Sequence, residues 1–259
     1  MSAEPATPAA RDRRWIVAVA GMLAVLVFAR LRSEVPLYVE LHRWLDARDV
    51  PASLRHLDGS LLIAGAALFA ARLAWGRGGA CRGLGLRAPL PVALWFALVS
   101  GLPMLLQAML ASDGVRWDWQ VVRGVVLAPL VEEASFRAVL VGITVRLGGR
   151  RFWPTAVLAA ALFGSMHVPW SAAFHSGHLG ILAATIAGGV WYAWILRAHD
   201  WNLWTTILLH AVMNGAWMVF GAADDAAGGL WPNVGRGLTI VVGTVLTIRR
   251  LRRRRAADA

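Results

Sequence analysis

Long apolar runs alternate along the chain with short connections that carry arginine. The runs cover residues 15–29, 59–75, 89–110, 121–145, 152–168, 179–196, 201–220 and 235–248. None keeps the two-residue alternation of a barrel strand, and backbone in hydrocarbon must satisfy its own hydrogen bonds, so each run predicts a helix. Most approach the length that a bilayer core demands. The pattern predicts an all-α fold, a polytopic membrane helix bundle of about eight transmembrane helices. Between the first two runs, Leu37, Tyr38, Leu41, Trp44 and Leu45 recur at helical spacing, which fits an amphipathic helix at the interface over 35–45 or an ordinary loop.

Composition points the same way: 58% of the 259 residues are hydrophobic and 16% charged, with a mean hydropathy of +0.57. A net charge of +11 would suit a nucleic-acid partner if it gathered on one face among readout residues. Here it comes from arginine alone and sits in clusters between apolar runs, so it excludes nucleic acid and makes the lipid bilayer the partner. Arg11, Arg13 and Arg14, then Arg72, Arg77, Arg82 and Arg87, then Arg146, Arg150 and Arg151, then Arg249, Arg250 and Arg252 to Arg255 mark every second connection. The intervening connections carry mixed charge (Asp113, Arg116, Asp118, Arg123), histidine (His175, His178) or acid (Asp224, Asp225). Arginine is retained on the cytoplasmic side, so both termini are expected there, in a bacterial inner membrane. The expected organisation is a disordered cytoplasmic tail over 1–14, a membrane domain over 15–248 and a basic cytoplasmic tail over 249–259. Trp15, Trp75, Trp117, Trp119, Trp153, Trp170, Trp201 and Trp231 fall near run ends, where indoles favour the interface; Trp191 and Trp217 do not.

Some polar residues interrupt the runs. Glu132, Glu133 and Arg137 lie in the middle of the fourth, where a charge costs several kcal/mol unless paired or hydrated, roughly 3 kcal/mol by insertion scales. Glu133 and Arg137 stand four apart and can form an ion pair, with the acid on its favourable N-terminal side. Glu132 points about 100° away on a regular helix and is left as the candidate working carboxylate. Pro129, one turn earlier, is expected to bend the helix. In the fifth run Phe163 precedes His167 by four residues and can set the direction of its imidazole; Pro169 ends that helix soon after. In the seventh, His210 and Asn214 share a face and can hydrogen-bond a common oxygen. Each motif alone also reads as glue between helices. Three segments together, each with polar groups able to converge, point to chemistry.

Other residues are given smaller roles. Cys81 is the single cysteine, so no intrachain disulfide and no cysteine-based metal site can form. His42, His56, His175, His178 and His199 fall in loops and are expected to be solvated. Ala183, Ala184, Ala187 and Gly188 are expected to let helices pack closely. His and Glu could ligate zinc, which keeps a zinc enzyme as a rival, but Asn is a poor zinc ligand and HExxH is absent. No cofactor is expected. Nothing singles out Ser165 as a nucleophile.

The ordered set EExxxR (Glu132, Glu133, Arg137), FxxxH (Phe163, His167) and HxxxN (His210, Asn214) resembles the CAAX protease and bacteriocin-processing (CPBP, Abi) family of glutamic intramembrane proteases over about residues 82–220, including the leader GLGLR at 83–87. The resemblance implies an eight-helix bundle in which Glu132 activates water with help from His167, while His210 and Asn214 stabilise the oxyanion; Glu133, Arg137 and Phe163 support them. It implies hydrolysis of a peptide bond in a membrane-anchored or exported protein, at a C-terminal tail or a leader. Ala138, where the family often has Gly, and Ala134 and Ser135, where it commonly has an aliphatic residue after the second Glu, depart from the pattern without removing a catalytic group. Two other classes use similar residues: a non-catalytic scaffold or immunity protein of the same fold, which the intact motifs disfavour, and a proton-coupled transporter, which would show repeated halves.

Overall fold

The computed structural model describes residues 8–51, 57–112, 114–168, 176–221 and 229–258, and among them the regular structure is entirely helical. All eight apolar runs fall on helices: α1 (Pro8–Leu31), α3 (Leu57–Trp75), α4 (Leu90–Ala111), α5 (119–146), α6 (Phe152–Ser165), α7 (Ser176–Ala198), α8 (Leu203–Met218) and α9 (Leu230–Ala257). The amphipathic segment is α2 (Pro36–Asp46), opened by Pro36 and presenting Leu37, Leu41 and Trp44 outward. Helix α1 begins ahead of the run that opens at Trp15, and α9 continues through the arginine-rich tail. Pro169, Trp170, Asp113, His56, His175, Asp224 and Asp225 lie outside the described residues.

Among the described residues three stretches are long and apolar enough to cross a membrane, Arg13–Glu34, Leu90–Ala111 and His178–Ala198, and two shorter apolar helices, Gly59–Trp75 and Phe152–Ser165, accompany them. Together with their outward-facing leucines and tryptophans, they make the chain an integral membrane protein.

Helix α5 lies at the centre and touches α1, α3, α6, α7 and α8; α1 pairs with α3, α6 with α7, and α4 with both α8 and α9. Lipid tails are as apolar as leucine, so these pairs hold by close packing, and small residues permit it. A Cβ at Gly101 would stand 2.3 Å from Val212 Cγ1, one at Gly124 would meet the Met218 sulfur, and one at Gly189 would meet Ala160. The small-residue contact on α7 is therefore Gly189. Gly188 has open space beside it, and Ala183, Ala184 and Ala187 face outward. The predicted face was thus displaced by one residue, because the side of α7 that turns to α6 is the one bearing Leu182, Ile186 and Gly189.

The arginine-rich connections meet at one end of the bundle. Arg146 donates to the Gly83 carbonyl at 2.6 Å, Asn202 to that of Pro89 at 3.0 Å and the Trp204 indole to that of Leu86 at 2.9 Å. Asp200, in the turn after α7, accepts from Arg250 and Arg254 of α9. The strap 83–89 is thereby fixed across the end. Gly85 has φ +85°, and a Cβ there would lie 1.8 Å from the Trp201 carbonyl oxygen. His199, expected in a solvated loop, is buried instead: its ring sits 4.5 Å from that of Phe96, and Nε2 is 3.3 Å from Thr247 Oγ1. The loop is tight enough that α4 and α9 cover it.

Candidate active site

Helix α5 is not a regular α-helix. Asp118 caps its start, accepting from the Val121 N–H at 2.9 Å, but two stretches, Arg123–Leu127 and Glu133–Ile143, are π-helical. The first has a cause in the sequence. The Ala128 N–H donates to the Arg123 carbonyl, and the next position is Pro129, which has no N–H. The Gly124 carbonyl is thus left without a donor from its own helix, and Asn214 on α8 supplies one: its Nδ2 donates to that oxygen at 2.8 Å. The proline expected only to bend the helix sets up a contact between two helices. Widened turns of this kind gather at functional sites, and here Glu132 and Glu133 stand at the junction where the second begins.

The two glutamates face different surroundings. Glu133 has no exposed side-chain surface; its Oε1 lies 3.4 Å from Arg137 and 3.0 Å from His210 Nδ1. The Arg137 guanidinium is 4.2 Å from the Phe163 ring centroid and 5.6 Å from that of Tyr192. An acid, a guanidinium and two aromatic faces therefore form one buried unit, as such a pair requires in a dry interior. The Glu132 side chain is 26% exposed and opens into a cavity, with His210 Nε2 3.8 Å from its Oε2. A carboxylate only accepts, so the Nδ1–H of His210 donates to Glu133 and leaves Nε2 facing Glu132.

His167 is fixed in the same manner. Nδ1 lies 2.9 Å from the Phe163 carbonyl oxygen, which can only accept, and the Phe163 ring packs edge-on at 4.4 Å. The free Nε2 of His167 is thereby the atom available for chemistry. Sequence spacing suggested that His210 and Asn214 share one oxygen. In the structure each holds its own, Glu133 Oε1 and the Gly124 carbonyl.

Glu132, His167, His210 and Asn214 all line one cavity of about 560 Å³ beside Arg116, Asp118 and Arg236. A second, of about 420 Å³, reaches Arg32, Ser60 and Arg123 on the other side. Glu132, His167, Gln120 and Met218 belong to both and so form the wall between them. Both cavities lie toward the end of the bundle away from the arginine-held strap, where the Arg116 N–H donates to the Val219 carbonyl and Arg30 to that of Val168. Sequence reasoning missed Gln120, a lone amide at the start of α5, and Tyr192, whose hydroxyl reaches the Met213 sulfur at 3.2 Å and whose ring lies 5.5 Å from His210. A tyrosine in an otherwise apolar run was the available signal for the second. The two tryptophans away from run ends also find places: Trp191 donates to Thr244 at 3.0 Å, and Trp217 lines the larger cavity under Arg236.

Ser165 donates to the Leu162 carbonyl of its own helix at 2.7 Å. Among the described residues no three of His, Cys, Asp and Glu are grouped to hold a metal ion. Glu132, His167, His210 and Asn214 offer general-base, proton-transfer and hydrogen-bond chemistry around one space.

No curated protein and no solved structure matches the chain. Residues 115–216, the segment that carries all three motifs, match the model of the type II CAAX prenyl endopeptidase Rce1-like family, the family that those motifs resemble.

Proposed function

We propose that the chain is a glutamic intramembrane endopeptidase that hydrolyses a peptide bond of a membrane-anchored or exported protein, and that it needs no metal. One observation carries this reading: Glu132 opens into the cavity shared with His167, His210 and Asn214, while its neighbour Glu133 is committed to Arg137 and His210.

In this mechanism Glu132 takes a proton from a water held against the scissile carbonyl. The water oxygen bonds to the carbonyl carbon, and the carbonyl oxygen becomes an oxyanion. Nε2 of His167, free because Nδ1 is tied to Phe163, shares the proton and returns it to the leaving amine as the C–N bond breaks. The ring of His210, between two carboxylates, enters the cycle as imidazolium and keeps both protons throughout: Nδ1–H donates to Glu133 and Nε2–H toward the oxyanion, and the second amide N–H of Asn214 adds to the same field. Donors aimed at a developing oxyanion are worth about 3–4 kcal/mol each. Substrate enters from the end away from the arginine-rich strap, which is the external side if arginine retention sets the topology. A C-terminal sorting tail, a bacteriocin leader or a chaperone-like target all suit such a site; a prenylated one requires a host that prenylates.

The test is hydrolysis of membrane-tail peptides by purified protein in liposomes, with Glu132→Gln and a zinc chelator as the two comparisons. Cleavage lost in Glu132→Gln and resistant to chelation is the expected result. Cleavage abolished by the chelator, or retained in Glu132→Gln, overturns the mechanism.

A further inference from the structure

A groove of about 700 Å³, sharing no residue with the cavities around Glu132, runs along the outside of α1, α5 and α6. Its length is apolar, lined by Val19, Leu23, Leu140, Leu158 and Leu162; Leu158 is largely exposed and Leu23 partly so. Its mouth is basic. The turn between α5 and α6 passes through Gly149 in the left-handed region at φ +61°, and the Arg150 N–H closes it onto the Thr144 carbonyl at 3.2 Å. Arg150 and Arg151 both line the groove at this turn, with Thr144 and Thr155. The Arg150 guanidinium lies 5.8 Å from the Trp15 ring centroid, and Arg151 is the uncapped residue at the start of α6, whose first N–H groups add the same sign. Among the described residues neither guanidinium has a carboxylate partner.

In a bilayer an apolar slot is filled by acyl chain whatever the headgroup. What distinguishes this slot is an unneutralised arginine pair at its mouth, beside an indole, at the arginine-rich end of the bundle. Guanidinium groups bind phosphate oxygens in paired hydrogen bonds, and basic clefts between membrane helices select anionic headgroups. We propose that this groove binds one anionic phospholipid, with an acyl chain along Leu23 and Leu158 and the phosphate between Arg150 and Arg151.

The experiment is native mass spectrometry of the full chain in detergent, titrated with phosphatidylglycerol or with phosphatidylcholine of the same acyl chains. Two arginines near the membrane surface predict retention of one phosphatidylglycerol with a preference on the order of tenfold. Arg150→Gln with Arg151→Gln should reduce that preference to nearly one, and Arg150→Lys with Arg151→Lys should keep part of it. Arg252→Gln with Arg255→Gln removes the same charge from the tail and should leave it unchanged. Equal binding of the two lipids by the wild-type chain overturns the proposal without any variant. So does an equal loss from the tail variant, which means diffuse attraction, or displacement of the lipid by inorganic phosphate at matched concentration, which means a phosphate site.

Discussion

The Asn214 amide donates to the Gly124 carbonyl across two helices, at the one position where Pro129 leaves that oxygen without a partner in its own helix. Removing the donor strands a carbonyl inside the bundle, so Asn214→Ala should cost about 1–3 kcal/mol, read as a lower midpoint of thermal unfolding in detergent. Pro129→Ala restores an N–H within reach, and in the Asn214→Ala background it should recover part of the loss. Additive effects of the two changes would disprove the coupling.

The two glutamates should fail differently. Glu132→Gln is expected to reduce peptidase turnover by about 10²–10⁴-fold with thermal unfolding unchanged. Glu133→Gln leaves Arg137 buried without its acid and should cost about 3–5 kcal/mol of stability. A well-folded Glu133→Gln protein that had lost turnover, beside an active Glu132→Gln, would reverse the two assignments.

Gly85→Ala places a methyl group against the Trp201 carbonyl at a backbone angle that suits glycine. Overpacking alone costs about 1–3 kcal/mol, and the left-handed conformation adds to it. The comparison is Gly188→Ala, which has open space beside it and should be neutral or slightly stabilising in the same unfolding assay.

Stability should fall with acid in two stages. Burial, and then the Arg250 charge, push His199 down to about 4, while Asp200 and Arg254 face it from the same cluster. Folding favours the neutral ring, so its contribution is present above pH 6.5, the ordinary value, and is lost as pH falls from there to about 4, on the order of 3 kcal/mol in all. Asp200 is held below the usual carboxylate range by Arg254 and Arg250 against the cost of burial, so its contribution is lost only at lower pH. Melting curves from pH 7.5 to 4 should show the first loss, and His199→Gln should flatten it.

Cys81 is exposed at the arginine-rich end and is the only thiol in the chain. A membrane-impermeant maleimide should leave it unmodified in intact cells and modify it in inverted vesicles. Labelling in intact cells would reverse the orientation drawn from arginine placement.

The helices were legible because apolar runs and arginine clusters obey rules local to the chain. The pairing of Glu133 with Arg137, and the edge-on packing of Phe163 on His167, followed from four-residue spacing alone. Features that depend on a second helix were not legible. The first widened turn of α5 leaves the Gly124 carbonyl to a donor on another helix, Asn214, and the Glu133–His210 bond joins residues 77 positions apart. His199 looked solvated because the pattern of its own segment holds no trace of Phe96 or Thr247.

The strap over the arginine-rich end is held through Gly83, Leu86 and Pro89 by their main-chain oxygens. Arg146, Trp204 and Asn202 therefore read where the chain passes, and the exposed Arg87 side chain is left out of that reading. The segment works as a measured tie: an outward-facing position can change its chemistry freely, whereas a residue inserted between Gly83 and Pro89 would put the attachment points out of register and loosen α4 from α8.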